Sequence, residues 1–184
     1  MAVEVLEKPL PKPDDERYVE ARLLEALVEA RLALRFLREG LTRNAAGKAF
    51  QAWKALLAAL LRMELEKLKA LAKTEEERRW LETTAVPRVP TTKMKTLART
   101  LEDVGHGAIS AWTDKALNLH DYQYHGPDPD MALSKYTTRE EAAADIVLTI
   151  QEIARRIEPL RNKIWSEELE KTLRELRRVL HSSS

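Results

Sequence analysis

The sequence predicts an all-α protein, an antiparallel up-down bundle of five to seven helices. Glycine and phenylalanine are rare, with five and two copies in 184 residues, which argues against an all-β fold. Leucine, alanine, glutamate and arginine dominate, as is typical of helical bundles. The stretch from Asn44 to about Lys73 has no proline and consists almost wholly of strong helix formers. It predicts one helix of roughly eight turns, about 45 Å long.

This central helix carries a continuous apolar face. Ala46, Phe50, Trp53, Leu57 and Leu60 recur with alternating spacings of four and three, which places them in one stripe. A helix this apolar must be covered by several neighbours. We therefore expect the other helices to pack around it.

The chain is predicted to have two parts. Residues 1–13 read as an extended arm, because Pro9, Pro11 and Pro13 oppose a helix. The apolar residues of this arm are suited to docking on a surface; they are Val3, Val5, Leu6 and Leu10. Residues 14–184 are predicted to form a single helical-bundle domain, since a chain of this length is most simply one domain with one core.

The first helix of the domain has two apolar stripes. It is expected to begin near Asp15 and to end at Gly40, and the short connection that follows predicts an antiparallel hairpin. The second stripe lies about 120° from the first and consists of Leu24, Val28, Leu32 and Phe36. Two stripes predict two partners, namely the bundle and either another helix or another subunit. A homodimer is therefore expected.

Capping motifs and helix breakers divide the rest of the chain. Thr74 with Glu77 and Thr138 with Glu141 match the capping box, and Ser166 is suited to cap a last helix. These signals predict helices over about 75–84, 92–103, 108–122 and 139–158, and a final one after 166.

Composition excludes several classes of function. The 31 basic and 30 acidic residues nearly cancel, so no global field attracts nucleic acid or acidic lipid. The absence of cysteine excludes disulfides, thiolate catalysis and cysteine-bound zinc. No apolar run is long enough for a membrane span, and the charged, proline-rich start does not match a secretory signal. We therefore expect a cytoplasmic protein without a membrane partner, and scarce glutamine and asparagine hint at a thermophilic source.

The polar stretch from Asp114 to Gly126 is the main candidate for chemistry. His120 and His125, with nearby aspartates, are suitable metal ligands. However, the two histidines are five residues apart and point about 140° away from each other on a continuous helix. The alternative is an ordinary helix end whose polar side chains bind its free carbonyls. No metal or other cofactor is predicted.

The hairpin sequence from Glu39 to Ala55, followed by Leu119 to Tyr122 near the end of a fourth helix, resembles the HEPN superfamily and most of all its archaeal PaREP branch. The resemblance covers roughly residues 16–157. It implies a helical bundle built on an antiparallel pair and commonly dimeric. Many members of the superfamily are RNA-cleaving toxins or partners of a small nucleotidyltransferase.

The resemblance also implies candidate site residues. Ribonuclease members carry an arginine, four to six residues and then a histidine, often with a tyrosine two residues later. His120 and Tyr122 match the histidine and the tyrosine, but the cation five residues before His120 is Lys115, which lacks the bidentate fork of arginine. In a metal-free ribonuclease His120 would act as acid or base, Lys115 would offset charge on the phosphate and Tyr122 would hydrogen-bond it.

A basic loop offers a second candidate site. Arg88, Lys93 and Lys95 are candidate nucleic-acid contacts, although such runs of charge usually mark a solvated face. The leading hypothesis is a self-associating interaction domain without robust catalysis that partners a nucleotidyltransferase or binds nucleotide or RNA. The alternatives are a ribonuclease that uses His120 with Lys115 and a metal-binding bundle that uses His120 with His125.

Overall fold

The computed structural model describes residues 4–182 and confirms the all-α prediction. Within that range it contains six helices of ten residues or more and no strand. The helices, in chain order, are α1 (Glu4–Glu7), α2 (Arg17–Arg38), α3 (Thr42–Met63), α4 (Leu65–Leu71), α5 (Glu75–Trp80), α6 (Val86–Arg88), α7 (Met94–Asp103), α8 (Ile109–His125), α9 (Arg139–Ile157) and α10 (Glu167–His181). No helix among these residues is long and apolar enough to cross a membrane.

Helix α3 lies at the centre of the bundle, as its apolar stripe predicts. It packs against α2, α7, α8 and α9. Phe50 and Trp53 on this helix are fully buried. Gly47 lets α8 approach closely, because a Cβ atom there would lie 2.6 Å from Cδ of Gln123. The small residues at the start of α3 therefore set the distance between α3 and α8.

The predicted length of the central helix is wrong. The expected eight-turn helix is divided at Glu64, whose backbone (φ −98°, ψ 6°) departs from helical values, into α3 and α4. Glu64 is buried, and its carboxylate accepts hydrogen bonds from Lys67 Nζ at 2.6 Å and His106 Nε2 at 3.1 Å. The break thus coincides with a buried charged side chain that has a partner far along the chain. Helix propensity depends on local sequence and does not predict such a partner.

The second stripe of α2 is covered by another helix of the same chain. Helix α10 packs against α2, and Leu24 and Val28 of the stripe are buried. An ion pair joins Arg31 Nη1 to Glu175 at 2.5 Å, on the α2 and α10 sides of this contact. The sequence predicts either another helix or another subunit against this stripe, and the structure places a helix there. The stripe therefore gives no separate reason to expect a second subunit.

The N-terminal arm contains one helical turn that the sequence did not predict. Helix α1 precedes the first proline of the arm, so the prolines do not oppose it. Val5 on α1 packs against the core, and the carbonyl of Pro13 accepts a 2.5 Å hydrogen bond from Arg62 Nε on α3. Val3, which the sequence also assigns to the docking arm, lies outside the described residues.

The predicted capping motifs are confirmed. Thr74 and Thr138 form reciprocal capping boxes with Glu77 and Glu141, and the Ser166 side chain accepts from the backbone of α10. These caps fix where α5, α9 and α10 begin.

The segment before α7 has an unusual backbone. Residues Leu81–Ala85 form a π-helical turn, and the buried Val89 adopts a left-handed conformation with φ 42°. This conformation is strained for a β-branched residue and persists only where its surroundings enforce it. Tyr18 Oη donates to the carbonyl of Val86 at 2.8 Å, and Arg22 Nη2 donates to the carbonyl of Pro87 at 2.7 Å. Two side chains of α2 therefore hold this segment in place.

Candidate functional site

His120 lies on the side of α8 that faces α3. Its ring stacks on Phe50, with centroids 4.2 Å apart and planes at 29°, and meets the edge of Tyr124 at 5.2 Å. Nδ1 of His120 is buried without a hydrogen-bond partner among the described residues. Tyr124 is 60 % exposed and forms the outer wall of this arrangement. The imidazole is thus held by aromatic contacts, with one polar atom left unsatisfied.

The environment of His120 favours the neutral imidazole. Burial lowers its pKa from the ordinary value, and the positive charge of Lys54 lowers it further, against the opposing influence of Asp121. Both influences favour the form of the imidazole without the extra proton. A neutral imidazole carries one donor and one acceptor nitrogen.

Lys115 lies on a different side of α8 and is bound to α9. Its Nζ is 2.5 Å from Oδ1 of Asp145 and 5.8 Å from the ring centre of Trp112. Oδ2 of the same aspartate accepts a 2.8 Å hydrogen bond from Tyr136 Oη. On one helix a five-residue separation turns Lys115 about 140° from His120. The structure therefore does not bring Lys115 and His120 together. The same five-residue spacing separates His120 from His125, so the sequence already predicts this separation.

Tyr122 is a core residue. Its side chain is 1 % exposed, and its ring meets that of Tyr136 edge-on at 5.6 Å. Burial raises its pKa, although the charges of Arg139 and Arg43 act in the opposite direction. Two residues along a helix correspond to about 200°, so Tyr122 faces away from His120. The three candidate catalytic residues thus occupy separate surroundings.

The Lys115–Asp145–Tyr136 network is expected to stabilise the fold. An Asp145→Ala variant leaves a partly buried ammonium and a hydroxyl without their acceptor, which is expected to lower the free energy of unfolding by about 2 kcal/mol. Urea denaturation monitored by circular dichroism measures this loss. Asp114→Ala is the matched control, because it removes a 2.9 Å ion pair with Lys95 that is mostly exposed and is expected to cost less than about 1 kcal/mol. Equal losses in the two variants would contradict a structural role for Asp145.

The candidate metal ligands do not form a cluster. Within residues 4–182, no group of three or more histidine, aspartate or glutamate side chains is placed to hold an ion. His125 is exposed at the end of α8. The carboxylate of Asp128 accepts backbone N–H groups, at 2.7 Å from Leu133 and 3.2 Å from Ser134, and these bonds lower its pKa. Asp128 therefore organises the loop between α8 and α9.

The three cations of the basic loop lie in different surroundings. Arg88 is exposed and follows Pro87, whose carbonyl is bound by Arg22 of α2. Lys93 borders a groove of about 510 Å³ between α4, α5 and α7. Lys95 pairs with Asp114 on α8. The loop thus distributes its charges over several faces of the bundle, and their predicted contact with nucleic acid stays a prediction.

Lys54 on α3 is the residue that sequence reasoning missed. It lies one turn beyond Phe50 and on the same face of α3, since residues four apart are neighbours on a helix surface. Among the described residues it makes no hydrogen bond or salt bridge. Burial lowers its pKa, the charge of Arg22 lowers it further and Glu25 opposes this. The periodicity of α3 places Lys54 beside Phe50. The influence of its charge on His120 of α8 depends on the tertiary contact between Phe50 and His120, which the sequence does not show.

A comparison with family models identifies the chain. A model described as the archaeal PaREP1/PaREP8 family matches residues 21–147, more than half of the sequence. The chain belongs to this family. The match agrees with the resemblance of its hairpin to the PaREP branch. No curated protein and no solved structure gives a significant match.

The family match locates the candidate residues of this PaREP1/PaREP8 protein within the shared region. His120, Lys115, Tyr122 and Lys54 all fall inside the matched span, whereas α1 and α10 lie outside it. The contact between α3 and α8 is therefore built wholly from the part of the chain that matches the family. The helix that covers the second stripe of α2 is built from residues beyond it.

Proposed function

We propose that this PaREP1/PaREP8 protein is a cytoplasmic helical interaction domain that binds nucleotide or RNA without robust catalysis. The observation that supports the lack of robust catalysis is the separation of His120 from Lys115. The resemblance to the HEPN superfamily supplies the class of ligand and the alternative of a small nucleotidyltransferase as partner.

Metal-free RNA cleavage needs an acid or base and a cation at the same phosphate. Lys115 is instead paired with Asp145, and the same carboxylate accepts a hydrogen bond from Tyr136 Oη. His120 stacks between Phe50 and Tyr124 on the other side of α8. Helix α8 therefore places no cation beside His120 that could stabilise a charged transition state there.

RNA incubation distinguishes binding from cleavage. The purified protein is incubated with structured and single-stranded RNA beside a His120→Ala variant, and both bound and cleaved RNA are measured. We expect the protein to bind RNA and the RNA to be recovered uncleaved. Cleavage by the unaltered protein that disappears in His120→Ala would establish the ribonuclease and contradict the proposal, and a lack of RNA or nucleotide binding would also contradict it.

Self-association is part of the proposal and rests on the commonly dimeric state of the superfamily that the chain resembles. The second stripe of α2 does not support it, since α10 covers that stripe. Sedimentation velocity at micromolar concentration tests the dimer directly. A monomer of about 21 kDa, the mass of one chain, would contradict it.

A further inference from the structure

Helices α2 and α10 run side by side in the same direction. Arg31 of α2 pairs with Glu175 of α10 at 2.5 Å. Seven residues further along α2, Arg38 Nη2 donates to Ser182 Oγ at 2.7 Å and to the carbonyl of Val179 at 3.2 Å. Because the contacts advance by about the same number of residues on both helices, the helices stay parallel over about 10 Å. Polar contacts therefore fix the seam between them at two points.

A groove of about 360 Å³ lies along this seam. It has an apolar floor and a rim of arginines from α2, which recur at positions i, i+4 and i+7 and so share one face of the helix. The floor consists of Val28, Leu32 and Val179, and the rim consists of Arg31, Arg35 and Arg38. Glu39 also lines the groove and accepts a 3.0 Å hydrogen bond from Arg35 Nε. The cations of the groove thus outnumber its carboxylate.

The exposed face of α10 continues this positive charge beside the groove. Lys171, Arg174 and Arg178 are separated by three and four residues, so they lie on one face of α10, and all three are exposed. They line a second groove, of about 700 Å³, together with Glu175. Since Glu175 pairs with Arg31 of the first groove, the two grooves adjoin at this ion pair.

Positive charge is in excess over the two grooves together, which we call the α2–α10 surface. Six cations and four carboxylates line it. One of these carboxylates, Glu170, is bound by Arg161 Nη2, which lies outside this set, and by Trp165 Nε1, each at 2.9 Å. Lys171 and Arg178 make no ion pair among the described residues. A row of such cations suits a polyanion better than a ligand with a single charge.

We propose that the α2–α10 surface binds the phosphate backbone of RNA. This inference rests on the proposed function and names the surface that carries it out. Arg35 and Arg178 are exposed and donate charge-assisted hydrogen bonds to phosphate oxygens, because the planar guanidinium group matches phosphate geometry. Arg31 and Arg38 hold the two helices together at the same seam. Contacts with the backbone carry no sequence information, so binding should depend little on the base sequence.

The salt dependence of binding provides the test. Labelled oligouridine without terminal phosphates is titrated with the full-length protein at several salt concentrations, and binding is followed by fluorescence anisotropy. Each phosphate that is neutralised on a single strand contributes about −0.7 to the slope of log affinity against log salt concentration. Four exposed cations therefore predict a slope of about −3; they are Arg35, Lys171, Arg174 and Arg178.

Single arginine variants locate the contact. Arg35→Gln and Arg178→Gln are each expected to weaken binding about threefold and to make the slope less negative by about 0.7, the effect of one lost phosphate contact. A side chain with a purely structural role would leave the slope unchanged. An unchanged affinity and slope in both variants would overturn the proposal.

Arg155→Gln is the matched control. Arg155 on α9 is 68 % exposed and pairs with a glutamate, as Arg35 does at 70 % exposure, but it lines neither groove. Its replacement removes the same charge from another surface, so we expect the affinity and slope of the unaltered protein. Equal losses in Arg155→Gln and Arg35→Gln would show that overall charge decides binding, and the α2–α10 surface would then have no special role.

Two comparison ligands separate this inference from the proposed function. If the protein binds AMP but not oligouridine, or if all three variants bind oligouridine as the unaltered protein does, this inference fails and the proposed function stands. Poly-glutamate that binds as tightly as oligouridine would identify an acidic polypeptide as the partner of this surface and would also refute the inference. Binding of neither AMP nor oligouridine would contradict both.

Discussion

A Trp53→Ala variant is expected to lose about 3–5 kcal/mol of unfolding free energy, the usual cost of removing a large aromatic side chain from a core. Trp53 is fully buried on α3 and donates through Nε1 to Thr113 Oγ1 of α8 at 3.0 Å. The guanidinium of Arg156 on α9 lies 5.9 Å from the centre of its ring. One side chain thus joins three helices, and its loss leaves both a cavity and an unpaired buried hydroxyl.

Urea denaturation followed by circular dichroism measures this effect. Trp53→Phe keeps part of the volume and removes the indole N–H, so its loss should fall between zero and that of the alanine variant. Gln51→Ala is the control on the same helix, because Gln51 is exposed and its replacement is expected to change stability by less than about 0.5 kcal/mol. A Trp53→Ala variant as stable as Gln51→Ala would contradict the central position of α3.

The second large effect is expected at Glu152. A Glu152→Ala variant should lose about 3–5 kcal/mol of unfolding free energy, as other buried ion pairs do when one partner is removed. Glu152 is buried on α9, and its Oε1 lies 2.6 Å from Arg156 Nε. The Arg156 side chain is only 9 % exposed. It also donates to the carbonyl of Gly107 at 2.8 Å, which links α9 to the turn before α8. Removing Glu152 leaves this buried guanidinium without its counter-charge.

A nearby exposed ion pair is the control for this effect. Arg155 also binds Glu152, but its side chain is 68 % exposed. Arg155→Ala is therefore expected to cost less than about 1 kcal/mol, and Arg156→Ala should cost much more. Equal losses for the two arginine variants would contradict the assignment of a buried pair to Glu152 and Arg156.

The same carboxylate makes stability depend on pH. Burial alone would raise the pKa of Glu152, but its hydrogen bond to Arg155 and the charge of Arg156 outweigh burial and bring the pKa below its ordinary value of 4.5. A carboxyl group with a lower pKa in the folded state stabilises the fold above its unfolded pKa, and this contribution is lost as the pH falls through the folded pKa. The stability of the unaltered protein should therefore fall below about pH 4.5 more steeply than that of Glu152→Gln.

The helices could be predicted because their signals are local. The stripe around Phe50 and Trp53, the capping boxes at Thr74 and Thr138 and the breaker at Gly40 each act within a few residues. The break at Glu64 has no comparable local signal, and the buried carboxylate at that position binds His106, 42 residues away. The left-handed Val89 is likewise held by Tyr18 and Arg22 of α2 through its neighbours.

The candidate site was predictable only in part. Sequence pattern selects His120, and helix geometry alone separates it from Lys115 and Tyr122. The partner that binds Lys115 is Asp145, 30 residues along the chain, and no local signal connects the two. The charge of Lys54 acts on His120 because α3 and α8 pack through Phe50, one turn before Lys54. Pairings between helices thus decide which cation lies near the histidine.

The pKa of His120 in the unliganded protein tests most directly the claim that the cation whose charge acts on its ring is Lys54 of α3 and not Lys115 of its own helix. Ring chemical shifts are followed against pH in the unaltered protein, Lys54→Met and Lys115→Met. The positive charge of Lys54 lowers the pKa of His120, so its removal should raise that pKa, whereas removal of Lys115 should leave it unchanged. A pKa that rises in Lys115→Met and stays constant in Lys54→Met would contradict the account.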